Sequence, residues 1–468
     1  MTRISQLLAI AIVLLLVTLS LNYGLLPNLP SHDDKRVLEL LLIGAALLWV
    51  ILGGLSTAFS CPLWNFQSRY AAYLLLALAG LSAWLSASPR HAVLEISVFF
   101  GLFYVCQLTA VLWCEYRLIL LKSLIYAIWI GAVFYMVGFY TGYLASFLES
   151  IPLCWPEPFF GFSNVRFFNQ YQLWTLSLLC LPLLTFNIER IAIRRCLFII
   201  LTCWWVLLFA SAGRGVLLAW LLAMLVTTGC YRQLAWPLLR LQLTGFITGL
   251  IGYGMLFHLL PSFLVGGILT QTVFRDSTSD RIDLWKQALS MIQAHPWFGV
   301  GPMHYAWYPN TIAAHPHNSV LQLAAEWGLP ATVLMLTLAG YGVFCWLKRF
   351  NAVSLQTLDH PDVAVALFFT LVANASYSFV DGVIVMPLSQ VMMAVIIGLM
   401  IGLYNNQPSN GVNSKYLVQR IFAGIVLIAM VWSVMPELLP RIFGNEQMIP
   451  RGYQTMGPRF WQEGGIAH

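Results

Sequence analysis

Long apolar runs separated by short polar connections dominate the chain. A helix needs about 20 apolar residues to cross a bilayer. Runs of this kind begin near Leu7, Val37, Tyr70, Ala92, Leu118, Tyr171, Leu197, Gly215 and Leu241. After a long polar break they resume near Leu329, Val363, Met386 and Val418. The pattern predicts an all-α polytopic integral membrane protein with about 12–13 transmembrane helices. Arg3 precedes the first run and no small-residue cleavage site follows it, so that run reads as a retained span. The runs near Trp327 and Val385 are interrupted by Gly and Pro.

Two connections are long. One, 149–170, is rich in Pro and aromatic residues, and the other, 265–317, has a mixed, soluble-like composition. Loops of this length between spans are usually functional. The second is expected to contain its own amphipathic helix. Ser277, Ser279 and Asp280 offer N-caps, and Ile282, Trp285, Leu289 and Ile292 recur at helical spacing with Arg281, Lys286 and Gln293 around them. Pro296 stops the pattern, and Gly299-Val300-Gly301 turns the chain. Such a helix would lie near the outer membrane–water interface. There is no internal repeat, so 1–468 reads as a single membrane domain containing the large loop 265–317 and ending in a short tail, 437–468.

Composition sharpens this picture. Charged residues make up 9 % of 468 and apolar residues 60 %. Such a chain cannot cover a water-facing surface, which excludes a soluble multidomain enzyme, a disordered protein and a disulfide scaffold. The nine cysteines mostly fall in or beside apolar runs and form no CxxC pair. The net charge of +6 is first a topology signal. The short loop with Arg190, Arg194 and Arg195 carries the strongest basic bias, and the loop with Arg232 and Arg240 and the pair Lys348/Arg349 share its parity. Basic short loops stay in the cytoplasm. The other set of connections then faces outward and is expected to hold most of the acids, including Asp33, Asp34, Glu149, Glu157, Asp276, Asp280 and Asp283.

Against that bias Arg214 stands out. It lies in Ser211-Ala212-Gly213-Arg214-Gly215, a tight outward-facing turn between two apolar runs. Burying an Arg at a helix centre costs about 2.5–3.5 kcal/mol on insertion scales. A bound anion would offset such a cost, and snorkelling to water would avoid it. Arg281 opens the loop helix, where a cation opposes the helix dipole; it either meets an anion or pairs locally with Asp280 or Asp283. Arg166 and Arg275 are further cations on the same predicted side. In Ala314-His315-Pro316-His317-Asn318-Ser319, Asn318 or Ser319 can cap a helix, with His317 at its mouth. The positive helix end disfavours imidazolium there, leaving a neutral proton acceptor or a structural hydrogen-bonding histidine. Ser319, Gln322 and Glu326 continue as one polar stripe at i, i+3 and i+7. No HExxH motif or cysteine partner supports a metal among the loop histidines, and none is expected. No other cofactor is expected either, since phosphate-binding glycine loops and nucleotide-sugar signatures are absent.

Taken in order, these pieces resemble the O-antigen ligase/polymerase superfamily. The resemblance rests on Ser211-x-Gly213-Arg214-Gly215, then Arg281-x-x-x-Trp285 followed by His295-Pro296-Trp297-Phe298-Gly299-Val300-Gly301. It ends on His317-Asn318-x-x-Leu321-Gln322-x-x-x-Glu326-x-Gly328-Leu329-Pro330. The segment 161–170, with Asn164, Arg166, Asn169 and Gln170, resembles a further external segment of these proteins. The resemblance implies a glycosyltransferase of the inner (cytoplasmic) membrane with its site facing the periplasm. It implies transfer of a glycan from a polyprenyl (undecaprenyl) pyrophosphate carrier to an acceptor hydroxyl of lipid A-core or a pilin-like protein, metal-independent and with inversion. Arg214 and Arg281 would hold the pyrophosphate and His317 would be the general base, with His315 as the other choice. Arg166, Arg275, Asn318, Gln322 and Glu326 would support them. Alternatives are an O-antigen polymerase of the same superfamily and a lipid or polysaccharide transporter. No nucleic-acid partner is expected.

Overall fold

The computed structural model describes residues 11–12, 15, 26, 28–54, 66–149, 159–186, 188–264, 279–358, 360–405, 416–445 and 457–466. Among these residues the architecture is all-helical. In chain order the helices are α1 (Ser31–Ile51), α2 (Phe66–Leu85), α3 (Pro89–Glu149), α4 (Val165–Thr175), α5 (Leu181–Thr185), α6 (Ile191–Ala210), α7 (Arg214–Tyr231) and α8 (Trp236–Tyr253). They continue with α9 (Leu260–Leu264), α10 (Ser279–Ala294), α11 (Ser319–Trp327), α12 (Leu329–Arg349), α13 (Pro361–Tyr377), α14 (Pro387–Asn405) and α15 (Tyr416–Ile442). The first predicted span lies largely outside the described residues.

Six described helices are long and apolar enough to cross a membrane. Two of them each absorb two predicted spans. α3 runs for 61 residues with non-helical backbone at Arg117. At 1.5 Å per residue that is about 90 Å, roughly three hydrocarbon thicknesses. The break at Arg117 therefore falls where the two apolar runs beginning near Ala92 and Leu118 meet. The continuous stretch Arg214–Leu264 likewise contains a break, at Arg232, whose φ is 50°. The predicted span near Tyr171 is broken: α4 ends at Thr175, a short turn covers Leu178–Cys180, and α5 carries Pro182 in its first turn.

The chain gathers into two compact units. The first draws on 1–23, 118–276 and 350–377, the second on 24–117, 277–349 and 378–468. In the first unit α6 and α8 pack closely because Gly245 lies against the Trp205 indole; a Cβ there would come within 2.8 Å of the ring. Trp205 meets Trp220 of α7 edge-on at 5.1 Å. Gln242 of α8 donates to the Leu176 carbonyl at 2.9 Å, satisfying a backbone group released where the helix breaks. Leu218, Leu221, Leu222 and Leu225 remain exposed on α7, an apolar face suited to lipid.

The second unit has a charged interior. His32, Asp33, Asp34, Lys35, Arg36 and Glu39 are all buried in the first turns of α1. This corrects the reading of Asp33 and Asp34 as loop acids; the helix starts at Ser31, and these residues belong to the core. Their partners explain it. Arg36 donates to Glu39 (2.5 Å), Gln390 (2.6 Å) and the Val385 carbonyl (2.6 Å). Asp33 accepts from the Gln462 backbone N–H at 2.6 Å and pairs with Arg441 at 3.4 Å. Buried charge is tolerated where it is paired and hydrogen-bonded in this way.

Candidate functional site

The large loop is an ordered scaffold over its described part. α10 is helical from Ser279, the first described residue of the loop; Ser277 and Arg275 lie outside the described residues. Of its apolar residues, Ile292 packs partly buried against a hydrophobic cluster. Leu284, Ala288 and Met291 are buried against Val300, Tyr305 and Ala325, whereas Ile282 and Leu289 are exposed. The periodicity contained two apolar stripes, and the second half of the loop covers the one made of the smaller residues. Trp285 stands between them and donates its indole N–H to the Pro316 carbonyl at 3.0 Å, tying α10 to the histidine segment.

After α10 the turn 295–301 closes onto the end of α11. Val300 N–H donates to the Ala325 carbonyl (2.9 Å) and Gly301 N–H to that of Glu326 (3.0 Å), and Leu329 N–H reaches back to Pro296 (2.9 Å). The last carbonyls of α11, which have no partner inside the helix, are thereby satisfied. Gly299 sits at φ 67° with its Cα against the Glu326 carbonyl, where a Cβ would overlap it. His304 is held on both ring nitrogens. Nδ1 donates to the Pro302 carbonyl (2.8 Å), so Nε2 accepts from the Ser88 N–H (2.9 Å). Burial brings its pKa down to about 4.

At the other end of α11, Asn318 is the N-cap, accepting from the N–H groups of Val320 (3.1 Å) and Leu321 (3.0 Å). Ser319 N–H donates to the Ser378 carbonyl at 2.8 Å, joining this end to the segment between α13 and α14. His317, one residue before the cap, is buried and held at φ 51°. A left-handed backbone at a non-glycine residue costs of order 1–3 kcal/mol and occurs often at functional positions. Its Nδ1 lies 3.2 Å from Oδ1 of Asp381. Asp381 is fully buried and also accepts from the Gly382 N–H at 2.7 Å. The His315 ring lies 4.3 Å from that of His317, over Gly382, where a Cβ would overlap it.

Asp381 was not singled out by the sequence reading. The signal was present: it is the one acid between Asp362 and Glu437, set in an apolar run where an ionisable group needs a reason. Ligand-capable atoms of His315, His317 and Asp381 lie within 4.8 Å of one another, so the expectation of no metal meets a group with the chemistry to hold a cation.

The remaining predicted residues fall in different places. Arg281 is in the second unit with the histidines, half-buried on the first turn of α10. Of the two local partners weighed for it, Asp283 accepts from Lys286 at 3.1 Å, and the Asp280 side chain lies outside the described residues. Gln322 donates to Glu326 at 3.2 Å. Glu326 also accepts from the Tyr305 N–H (3.0 Å) and from Arg459 (2.8 Å), which in turn holds Glu95 (2.7 Å). The lower part of the polar stripe thus serves a buried ionic network. Arg214 and Arg166 belong to the first unit. Arg214 is exposed at the start of α7, after a turn in which Ala212 takes φ 49°. Asn169 of α4 packs on Gly213, within 2.8 Å of where a Cβ would sit, so the motif around Arg214 and the segment 161–170 adjoin.

Comparison with known families matches residues 197–336 to the model of the O-antigen ligase (Wzy_C) family. The matched stretch contains Arg214, Arg281, His315, His317 and Glu326 and ends just inside α12. No curated protein matches the chain.

Proposed function

We propose that this multi-pass membrane protein transfers a glycan from a polyprenyl pyrophosphate carrier to an acceptor hydroxyl, with His317 as general base. The O-antigen ligase family match supports a glycan transferase of the ligase/polymerase superfamily acting on a lipid-linked substrate. The observation that carries the mechanism is the His317–Asp381 pair at the capped mouth of α11. A carboxylate accepts, so Nδ1 carries the proton and Nε2 presents a lone pair. The acceptor oxygen attacks the anomeric carbon, its proton passes to Nε2, and the bond to phosphate breaks with its electron pair leaving on the pyrophosphate. Asp381 holds the ring orientation and stabilises the imidazolium that forms. Attack opposite the leaving group inverts the anomeric centre. Arg281 and Arg214 are assigned to the pyrophosphate on the strength of their motifs, since guanidinium groups suit bidentate phosphate contact.

The site is proposed to face the periplasm, across the inner membrane from Arg190, Arg194 and Arg195. Those arginines flank the start of α6, while Arg214 follows its end. Twenty helical residues span about 30 Å, one hydrocarbon thickness. Acceptor choice among lipid A-core, a pilin-like protein and a growing polymer is tested by a deletion strain scored for lipopolysaccharide ladder, polymer length and pilin mass. Loss of one product, restored by wild type but not by His317→Ala, supports the reading. Restoration by His317→Ala overturns it.

A further inference from the structure

The second unit also holds a cavity of about 410 Å³, bounded among others by Leu85, His295, Trp297, Phe298, Trp307 and Tyr308. It lies within the common size range of small-ligand sites, about 300–1,000 Å³. Its walls are rigid. Trp297 and Phe298 stand on the turn locked to the end of α11 by the Val300, Gly301 and Leu329 hydrogen bonds. Trp307 packs beside the doubly held His304 ring, 5.8 Å between centroids. Yet Trp297 is 69 % exposed and Tyr308 37 %. An indole usually buries its large apolar surface; here a fixed backbone displays one beside a cavity.

We propose that this cavity is a saccharide subsite, binding sugar units of the glycan remote from the bond that reacts; it rests on the transferase reading above. A pyranose has an apolar C–H face that packs on an indole and a rim of hydroxyls that needs hydrogen-bond partners. Among the lining residues, Trp297 and Trp307 have the chemistry for the first, and His295 and Tyr308 for the second. An acyl chain would leave those polar groups facing hydrocarbon, at a cost. A phosphate would find no arginine or lysine among the described lining residues. Position agrees. The turn that forms the cavity seals the C-terminal end of α11, and His317 precedes the N-terminal end. Nine helical residues separate the two by about 13 Å, within reach of a short oligosaccharide. Binding there would supply energy away from the reacting centre, as transferases of extended substrates require.

The test uses the full chain in lipid nanodiscs and two lipid-free probes released by mild acid from the cell's lipopolysaccharide: the O-polysaccharide repeat and the core oligosaccharide. Saturation-transfer NMR reads binding without turnover. One probe should bind, which identifies the glycan held as donor or acceptor. Its affinity should fall about tenfold in Trp297→Ala and in Trp307→Ala, as for an aromatic anchor in a binding site. Trp297→Phe should restore it, and KM for the matching substrate should rise in parallel. Failure of both probes to bind, or equal affinity in both alanine variants, overturns the subsite. So does quenching of Trp297 by brominated lipid that neither glycan relieves, the result for a membrane-anchoring indole. The transferase reading fails separately: His317→Ala would then transfer glycan normally while the binding result stands.

Discussion

His317 combines a left-handed backbone, a helix cap one residue later and a carboxylate on Nδ1. Removing its imidazole should lower kcat by about 10²–10⁴, as for loss of a general base, with membrane insertion intact. Asp381→Asn keeps the size but replaces the acceptor with a group that can favour the wrong tautomer. It should reduce kcat while leaving KM for the lipid-linked donor unchanged; an unaltered kcat would remove Asp381 from the mechanism. The histidine pair with Asp381 also makes a metal prediction. Transfer should persist in EDTA, and added Zn²⁺ should inhibit, because an ion on the Nε2 lone pair blocks proton acceptance. Loss of activity in EDTA with recovery on adding metal would reverse that expectation. His317 was legible in the sequence because Asn318 and the polar stripe follow it directly. Asp381 lies 64 residues further on, and only folding brings it to the ring.

His304 shows how an element depends on protonation. Its pKa is near 4 in the fold and 6.5 unperturbed, so between those values the unfolded chain binds more protons. Stability of the segment 295–308 should be intact above about pH 6.5 and fall as pH drops toward 4. Hydrogen exchange of the Ser88 and Gly301 amides across that window would read it, and a pH-independent rate ratio would contradict it. The glycine in the same turn is equally demanding. Gly299→Ala must take φ 67° and push into the Glu326 carbonyl. A cost of about 1–3 kcal/mol is expected, visible as a lower melting temperature in detergent. Helix α10 was legible as an element from its period, but not the face it buries. Ile282 and Leu289 are as apolar as the residues that pack, and the choice fell to the loop segment that returns over Leu284 and Ala288.

At the scale of the molecule, the end of the chain reaches the interior of the second unit. Arg459 bridges Glu95 and Glu326, the Phe460 carbonyl accepts from Arg36, and Trp461 donates to Glu437. Arg459→Ala strands two buried carboxylates, and breaking such pairs from one side costs about 3–5 kcal/mol. The variant should melt at lower temperature and lose transfer, and Glu326→Gln added to it should recover part of the stability. No recovery would place the loss elsewhere than in uncompensated charge. Apolar patterning alone determined that the chain is helical and membrane-embedded, because a bilayer leaves backbone polar groups no partner but their own helix. Local motifs marked Arg214 and Arg281 because charge is scarce, at 9 % of residues, and His317 because a cap and a polar stripe follow it. Only the tertiary structure decided which acid meets His317, which face of α10 is covered, and that Asp33, Glu95, Glu326 and the tail share one interior. Those pairings join residues up to 429 positions apart, and a periodicity read along the chain holds no information at that range.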